Sequence, residues 1–309
     1  MHRPVMLREA LDGLRVCSGG RYVDGTAGGG GHAEAILQRL GAGGGLLALD
    51  RDAEAVRRVC ARLASWGATV RIEQGNFADM ETSVRQHGWE RVDGVLLDLG
   101  MSSDQVEAPE RGFSFAQDGP LDMRMDRAQG RTAAELVNQL DEASLAQLFW
   151  RLGEERGARR IARALVTERE RAPITTTGRL ADLVVRVSGG HRGRLHPATK
   201  VFQALRLAVN AELENLEQGL EAALRLLAPG GRLVVIAFHS LEDRVVKQTV
   251  GRHVPRWESL PAGGRRRLGL EPPVRWITRR PLQPAAAECA DNPRARSARL
   301  RVAEMADRL

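Results

Sequence analysis

The chain has 309 residues, 43% of them hydrophobic, enough for about two domains with cores of their own. No stretch approaches the roughly 18 apolar residues of a membrane span, and the N-terminus lacks the apolar run of a signal peptide. The three scattered cysteines, Cys17, Cys60 and Cys289, fit neither a disulfide framework nor a zinc site. These features argue against membrane-spanning and disulfide-stapled classes and predict a cytoplasmic protein; nothing in the sequence calls for a metal. The net charge is +7, with Lys200 and Lys247 the only lysines beside 44 arginines. A basic chain points to an anionic partner, nucleic acid first, although such arginine skew is also the mark of a G+C-rich genome.

Residues 22–100 alternate strand and helix. Tyr22 and Val23 are a short apolar run ending in Asp24. Gly25-Thr-Ala-Gly-Gly-Gly-Gly-His32 follows, and apolar residues then recur at helical spacing (Ala33, Ile36, Leu37, Leu40). Strand, glycine loop and helix in that order make a ligand cradle: backbone without Cβ atoms approaches a ligand closely, and the free N–H groups of the helix point at it. Gly45-Leu-Leu-Ala-Leu-Asp50 reads as a second buried strand ending in acid. A helix follows (Val56, Val59, Cys60, Leu63), then an alternating strand, Thr69–Glu73, leading to Gly75-Asn-Phe77. Val92-Asp-Gly-Val-Leu-Leu-Asp98 is the next strand, again with an acidic end. Strands interleaved with helices predict a parallel sheet.

The rhythm breaks at residues 101–130, which lack a clear period. Helical spacing then dominates from Thr132 to Arg171, and Thr175-Thr-Thr177 reads as an N-cap before a helix ended by Gly189-Gly190. His196-Pro197 opens a helix expected to run to about Leu227, where Ala228-Pro-Gly-Gly231 breaks it. Leu233–Phe238 is a buried strand ending at His239-Ser240, with Ser240 and Asp243 as a capping-box-like pair. Residues 251–290 read as loop-rich and basic, and Ala298–Glu304 alternates as a last strand. The expected organisation is a sheet domain, 1–103 and 196–309, split by a helical insertion, 104–195, that selects the substrate.

Two cofactor classes suit this pattern. Gly28-x-Gly30-x-x-Ala33 fits the loose dinucleotide fingerprint, with Asp50 at the distance of a ribose-binding acid. Three features favour S-adenosylmethionine. Asp24 would repel a pyrophosphate but attract a cationic sulfonium or amino group. Phe77 can cover an adenine face. Asp98 ends the strand beside which a methyl group would lie. Each has a plainer alternative: a turn acid, a core ring, a loop cap.

Further stretches carry a family resemblance: His2-Arg-Pro-Val5, Asp24–His32, Leu49-Asp-Arg-Asp52, Asp93–Gln105, Arg111-Gly-Phe-Ser-Phe115, Gly119–Asp126, Gly153-Glu-Glu155, His196-Pro-Ala-Thr199, Phe202–Arg206, Phe238–Arg244 and Asn292–Ser297. With these the chain resembles the bacterial ribosomal RNA small-subunit methyltransferase H family over nearly its whole length. The resemblance implies an α/β, Rossmann-like class I S-adenosylmethionine-dependent methyltransferase sheet with an inserted all-helical domain. It also implies methylation of the N4 amine of a decoding-region cytidine in 16S ribosomal RNA, within the small subunit. By position it implies cofactor contacts from Gly30, Gly31, His32, Asp50, Phe77, Asp98 and Gln105. The chain departs from the family pattern at Ala27 and Gly29, where many relatives carry bulkier residues, and in a short stretch around 251–270.

Cytosine N4 is a poor nucleophile because its lone pair is delocalised into the ring. An acceptor for an N4 hydrogen restores that lone pair, and Asp98 is the candidate catalytic residue, with cofactor orientation as its competing role. The (Asp/Asn/Ser)-Pro-Pro-aromatic segment of many base amino-methyltransferases is absent, so base stacking falls to Phe113, Phe115 or His239. Arg111, Arg124, Arg294 and Arg296 sit in glycine- or proline-rich loops, which suits phosphate contact, with structural ion pairs as the alternative. The remaining rivals are a DNA or small-molecule methyltransferase and a non-catalytic ribosome-assembly protein that keeps a cofactor pocket.

Overall fold

The computed structural model describes residues 4–41, 43–190, 196–259, 265–271 and 273–306. His2 and Arg3 of the first family stretch, and residues 191–195, where the expected end of the insertion falls, lie outside the described residues. The chain opens with α1 (Leu7–Leu14), β1 (Arg21–Asp24), α2 (Gly31–Leu40), β2 (Gly45–Asp50), α3 (Ala53–Leu63), β3 (Val70–Gln74), α4 (Met80–Gln86) and β4 (Val92–Asp98). Six helices follow: α5 (Ser103–Glu107), α6 (Ala133–Gln139), α7 (Glu142–Gly153), α8 (Ala158–Arg171), α9 (Thr177–Ser188) and α10 (Thr199–Val209). The rest comprises α11 (Glu212–Leu226), β5 (Leu227–Ala237), α12 (Ser240–His253), β6 (Arg256–Ser259), β7 (Arg265–Leu268), β8 (Val274–Trp276), α13 (Ala286–Asp291) and β9 (Arg299–Met305).

Seven strands form one sheet in the order β3-β2-β1-β4-β5-β9-β8, parallel from β3 to β5 and antiparallel at β9 and β8. Strand side chains alternate between faces, and both faces are apolar. Leu46, Ala48, Leu96, Val234 and Ile236 pack on one side with Leu11, Ile36 and Val59 of α1, α2 and α3. Leu47, Leu49, Val95, Leu97, Leu233 and Val235 pack on the other with Val84, Leu220 and Val246 of α4, α11 and α12. This is the Rossmann-like α/β sheet expected. Its winding reverses between β1 and β4, the switch point where such sheets bind ligands at their carboxyl ends.

The chain divides into two compact units, Met1–Gly100 with Leu213–Leu309, and Met101–Glu212. The second unit is helical and has its own core, including Phe113, Leu145, Phe149, Ile161, Leu180 and Phe202. Helix α10, which the sequence reading placed with the sheet, belongs to this helical unit. Nor does one helix run from His196 to Leu227. Asn210 ends α10, and Ala211 takes a left-handed φ of 47°. Pro229-Gly230-Gly231 does not separate helix from strand either, because β5 already begins at Leu227 and takes up the extra residues as a bulge opposite β4. The stretch read as loop contains the hairpin β6–β7 and the edge strand β8. No helix among the described residues is long and apolar enough to cross a membrane.

Candidate active site

The glycine loop joins β1 to α2 at the switch point. Gly28 (φ 52°) and Gly30 (φ 78°) are left-handed, a conformation that penalises any Cβ. A Cβ on Gly29 would meet nothing within 4 Å, whereas one on Gly31 would press on Pro4 at 3.0 Å. The loop therefore uses two glycines for its turn, one for packing, and leaves open space over Gly29. Its ties are specific: Gly28 N–H donates to Asp50 Oδ2 (2.7 Å), Ala27 N–H to the Leu49 carbonyl (2.8 Å), and Arg62 Nη1 to the Gly29 carbonyl (2.8 Å). Asp50 also accepts from the Asp52 N–H at 2.9 Å. The acid read as a ribose ligand thus shapes the cradle as well.

Three acids end three adjacent strands. Asp24 is 1% exposed, and its Oδ1 accepts from the Thr26 N–H at 3.1 Å. Its Oδ2 is buried with no partner among the described residues. Burial pushes the Asp24 carboxyl from the usual 3.8 up to about 7, with Asp50 adding like-charge repulsion. Asp50 is likewise raised, first by burial, against the backbone N–H bonds that lower it. Asp98 is raised well above the usual range, first by burial, then by the charges of Asp24 and Glu242. The Asp98 backbone is pinned by its N–H to Thr26 Oγ1 (2.7 Å), and its side-chain Oδ1 is a second buried oxygen without a partner among the described residues.

His32 faces Asp98. Its Nε2 lies 3.1 Å from the Val5 carbonyl, which can only accept, so Nε2 carries a hydrogen. Its Nδ1 is 3.5 Å from Asp98 Oδ2. A neutral ring with this tautomer presents a lone pair to that oxygen. The contact is favourable only when the pair holds one further proton, on either Nδ1 or the carboxyl. His32 thus orients Asp98 from α2, a relation that the glycine-loop pattern alone does not reveal.

Phe77 follows β3. Its ring lies so close to α11 that a Cβ on Gly219 would come within 2.4 Å of it, and Asn76 Nδ2 donates to Asn215 Oδ1 of the same helix at 2.8 Å. Gly30, Gly31, His32, Asp50, Phe77 and Asp98 therefore all belong to the sheet unit, on the loops and strand ends that frame β1 and β4. Gln105 is in the helical unit, buried in α5. There its Oε1 accepts from the Ser102 N–H (3.1 Å), closing a capping box.

The residues proposed for RNA divide. Arg111 is buried, and its Nη2 donates to the carbonyls of Arg124 and Met125 (3.1 and 3.0 Å), the structural alternative for this residue. Arg124 is forked onto Asp122 (2.7 and 3.0 Å). Phe115 packs edge-on to Phe202 and tilted over His196, with centroids 4.8 and 4.5 Å away. His239 is the N-cap of α12: its Nδ1 accepts from the Glu242 N–H (3.3 Å) and its Nε2 meets Glu242 Oε1 (3.1 Å). The capping box is His239 with Glu242, not Ser240 with Asp243; Asp243 instead forks with Arg301 (2.7 and 3.1 Å). Arg294 is half-buried and Arg296 exposed, both in the single turn 293–297. Sequence reasoning missed Thr26, Arg62 and Glu242. The His-x-x-Glu spacing was the available signal for Glu242, but histidine is outside the usual N-cap set. Among the described residues no cluster of three or more histidines, cysteines and acids could hold a metal ion.

The family model described as the MraW methylase family matches residues 1–306. The chain belongs to that family. A methylase named ribosomal RNA small subunit methyltransferase H from Thermomicrobium roseum is 51% identical, covering 98% of this chain and 93% of that protein. One of the same name from Xylella fastidiosa is 48% identical, covering 99% and 97%. Among solved structures, an rRNA methylase from Streptococcus thermophilus aligns over 99% of each chain with a TM-score of 0.43 and 11% identity. This member of the MraW methylase family is an S-adenosylmethionine-dependent methyltransferase. The site suits that cofactor: the partnerless Oδ2 of Asp24 offers an acceptor to its positive charge, and the open glycine loop admits its body.

Proposed function

We propose that this methylase transfers the methyl group of S-adenosylmethionine to the exocyclic N4 of a decoding-region cytidine in 16S ribosomal RNA. The observation that carries the reading is the partnerless Oδ1 of Asp98, an acceptor at the end of β4 beside the switch-point cradle. The names of the relatives and the arginine-rich composition support small-subunit RNA as the substrate. The cofactor supplies an electrophilic methyl group when bound. The protein must then hold N4 in line, about 3–3.5 Å from that carbon. With its own proton displaced by the positive charge of the bound cofactor, Asp98 would accept a hydrogen bond from N4, drawing its lone pair out of the ring, and would take the proton that N4 loses as the methyl group leaves sulfur for nitrogen. Gly30, Gly31 and Asp50 hold the cofactor, Phe77 covers its adenine, and His32 fixes the Asp98 carboxyl. In this reading Gln105 completes the cofactor contacts, and Phe115, Arg124, His239, Arg294 and Arg296 serve the RNA. Arg111 does so through the loop it braces.

The test offers radiolabelled cofactor with naked small-subunit RNA, assembled small subunits and duplex DNA in parallel. Label recovered as N4-methylcytidine from small-subunit RNA is the expected result. Label in DNA alone, or none in any substrate despite measurable cofactor binding, overturns the reading.

A further inference from the structure

The sequence between Ala158 and Ser188, helices α8 and α9, carries seven arginines against three acids, and so supplies four of the chain's seven net positive charges. The structure gathers them. A groove of about 660 Å³ runs between the two helices. Arg160, Arg163, Thr167 and Arg171 line one wall, following the three-and-four spacing of a single helix face. Arg186 stands on the opposite wall, and Ala164, Leu183 and Val187 make apolar parts of the lining. The groove's one acid is already neutralised: Glu168 binds Arg179 at 3.3 Å and Arg186 at 3.2 Å. Arg163 has only an exposed pairing with Glu142 at 3.4 Å, and exposed pairs contribute little. Arg160 and Arg171 are exposed and have no carboxylate partner among the described residues. By contrast, Arg169 on the same helix caps α6 by donating to the Val137 and Leu140 carbonyls, at 2.7 and 2.6 Å. Arg160, Arg163 and Arg171 thus leave their charge to the groove, while the exposed Arg159 lies outside its lining.

We propose that the α8–α9 groove is a docking surface for the phosphate backbone of RNA, additional to the methylation site; the proposal rests on the RNA-methylase reading above. From Arg160 to Arg171 the helix rises roughly 16 Å, at about 1.5 Å per residue, enough to follow more than one phosphate of a strand. Arginines on both walls grip phosphate oxygens, and the apolar lining receives sugar and base edges. Contact of this kind positions the substrate without reading its sequence.

The test compares wild type with the quadruple variant Arg160→Gln, Arg163→Gln, Arg171→Gln, Arg186→Gln. A control variant loses the same charge from exposed arginines of the sheet unit (Arg8→Gln, Arg39→Gln, Arg57→Gln, Arg85→Gln). Glutamine keeps helix propensity, and thermal melts check folding. Binding of small-subunit RNA is titrated from 50 to 200 mM salt, alongside cofactor affinity and methyl-transfer kinetics. The groove variant is expected to bind RNA at least tenfold more weakly. Its log K against log salt should be shallower by about 0.7–0.9 per lost phosphate contact, with cofactor affinity and kcat at saturating RNA unchanged and the control variant near wild type. Equal effects in both variants, or wild-type RNA binding by the groove variant, overturn the proposal while the function stands. So does a defect confined to assembled subunits with naked-RNA affinity intact, which would make the groove a protein-binding surface. Failure of the wild type to bind or methylate RNA instead overturns the functional reading.

Discussion

Asp98 combines three conditions that rarely coexist in one carboxyl: a buried oxygen without a partner, two like charges nearby, and a histidine of fixed tautomer opposite. Asp98→Asn separates charge from shape. The carboxamide N–H can meet the lone pair on His32 Nδ1, so the fold is kept, but the negative charge that draws on N4 is gone. Methyl transfer should fall at least 100-fold, in the range lost with a positioned acid–base group, while the melting temperature stays within a few degrees. Single-turnover kinetics beside calorimetric cofactor titration reads this directly; full turnover in Asp98→Asn removes the residue from the chemistry. The acid itself was legible, since an apolar run of period-free residues ending in Asp marks the mouth of a buried strand. Its partners were not. Thr26, His32 and Glu242 meet Asp98 or its neighbourhood only once three separate segments converge on one end of the sheet.

Among the elements, the turn that follows β3 packs against α11 beside the site. Phe77 lies directly against the α11 backbone at Gly219, where a Cβ would stand 2.4 Å from the ring. Gly219→Ala must therefore displace the ring. Overpacking of this kind costs about 1–3 kcal/mol, and a displaced Phe77 should weaken cofactor binding roughly tenfold, with Phe77→Leu as the comparison that removes the aromatic face without the push. A variant with unchanged affinity would mean that the ring is core and not a cover for adenine. Most elements of the sheet could be read from periodicity, and β1, β2 and β4 end where the sequence places their acids. The break between α10 and α11 could not. Asn210 looks like an ordinary helix residue. Its side chain accepts from the Met125 N–H (2.8 Å) and donates to the Met123 carbonyl (2.8 Å), partners more than 80 positions away, and these anchor the residue that ends the helix. Likewise, a histidine cap is invisible to rules built on serine, threonine and aspartate.

For the molecule as a whole, the cluster of strand-end acids makes stability depend on pH. The Asp24 carboxyl is raised to about 7 in the folded chain and returns to about 3.9 on unfolding. Between these values the folded protein holds a proton that the unfolded chain has released. Stability is therefore fully present below pH 4 and declines as pH rises through 7. From pH 6 to pH 8 the loss from Asp24 alone is about 1.4 kcal/mol, and Asp98, raised for the same reason, acts in the same direction. The carboxylates that arginines hold low, Asp122, Asp243 and Glu304, are ionised in both states across this window and drop out of the difference. The ligand-free protein should thus melt several degrees lower at pH 8 than at pH 6. Asp24→Asn should remove the Asp24 share of that decline, about 1.4 kcal/mol between pH 6 and pH 8, and leave the part that Asp98 contributes. S-adenosylmethionine, cationic and facing the same carboxylates, should stabilise the protein more at pH 8 than at pH 6, because at the lower pH its binding must first displace protons. Differential scanning calorimetry at both pH values, with and without cofactor, on wild type and Asp24→Asn, measures all three quantities. An Asp24→Asn protein with the full wild-type slope would remove Asp24 from its sources, and a ligand-free melting temperature that is flat or rises with pH would show that the acids at the switch point are ionised before the cofactor arrives. The cradle would then already be charged for its cation, and the raised carboxyls would not be the source of any pH dependence in binding.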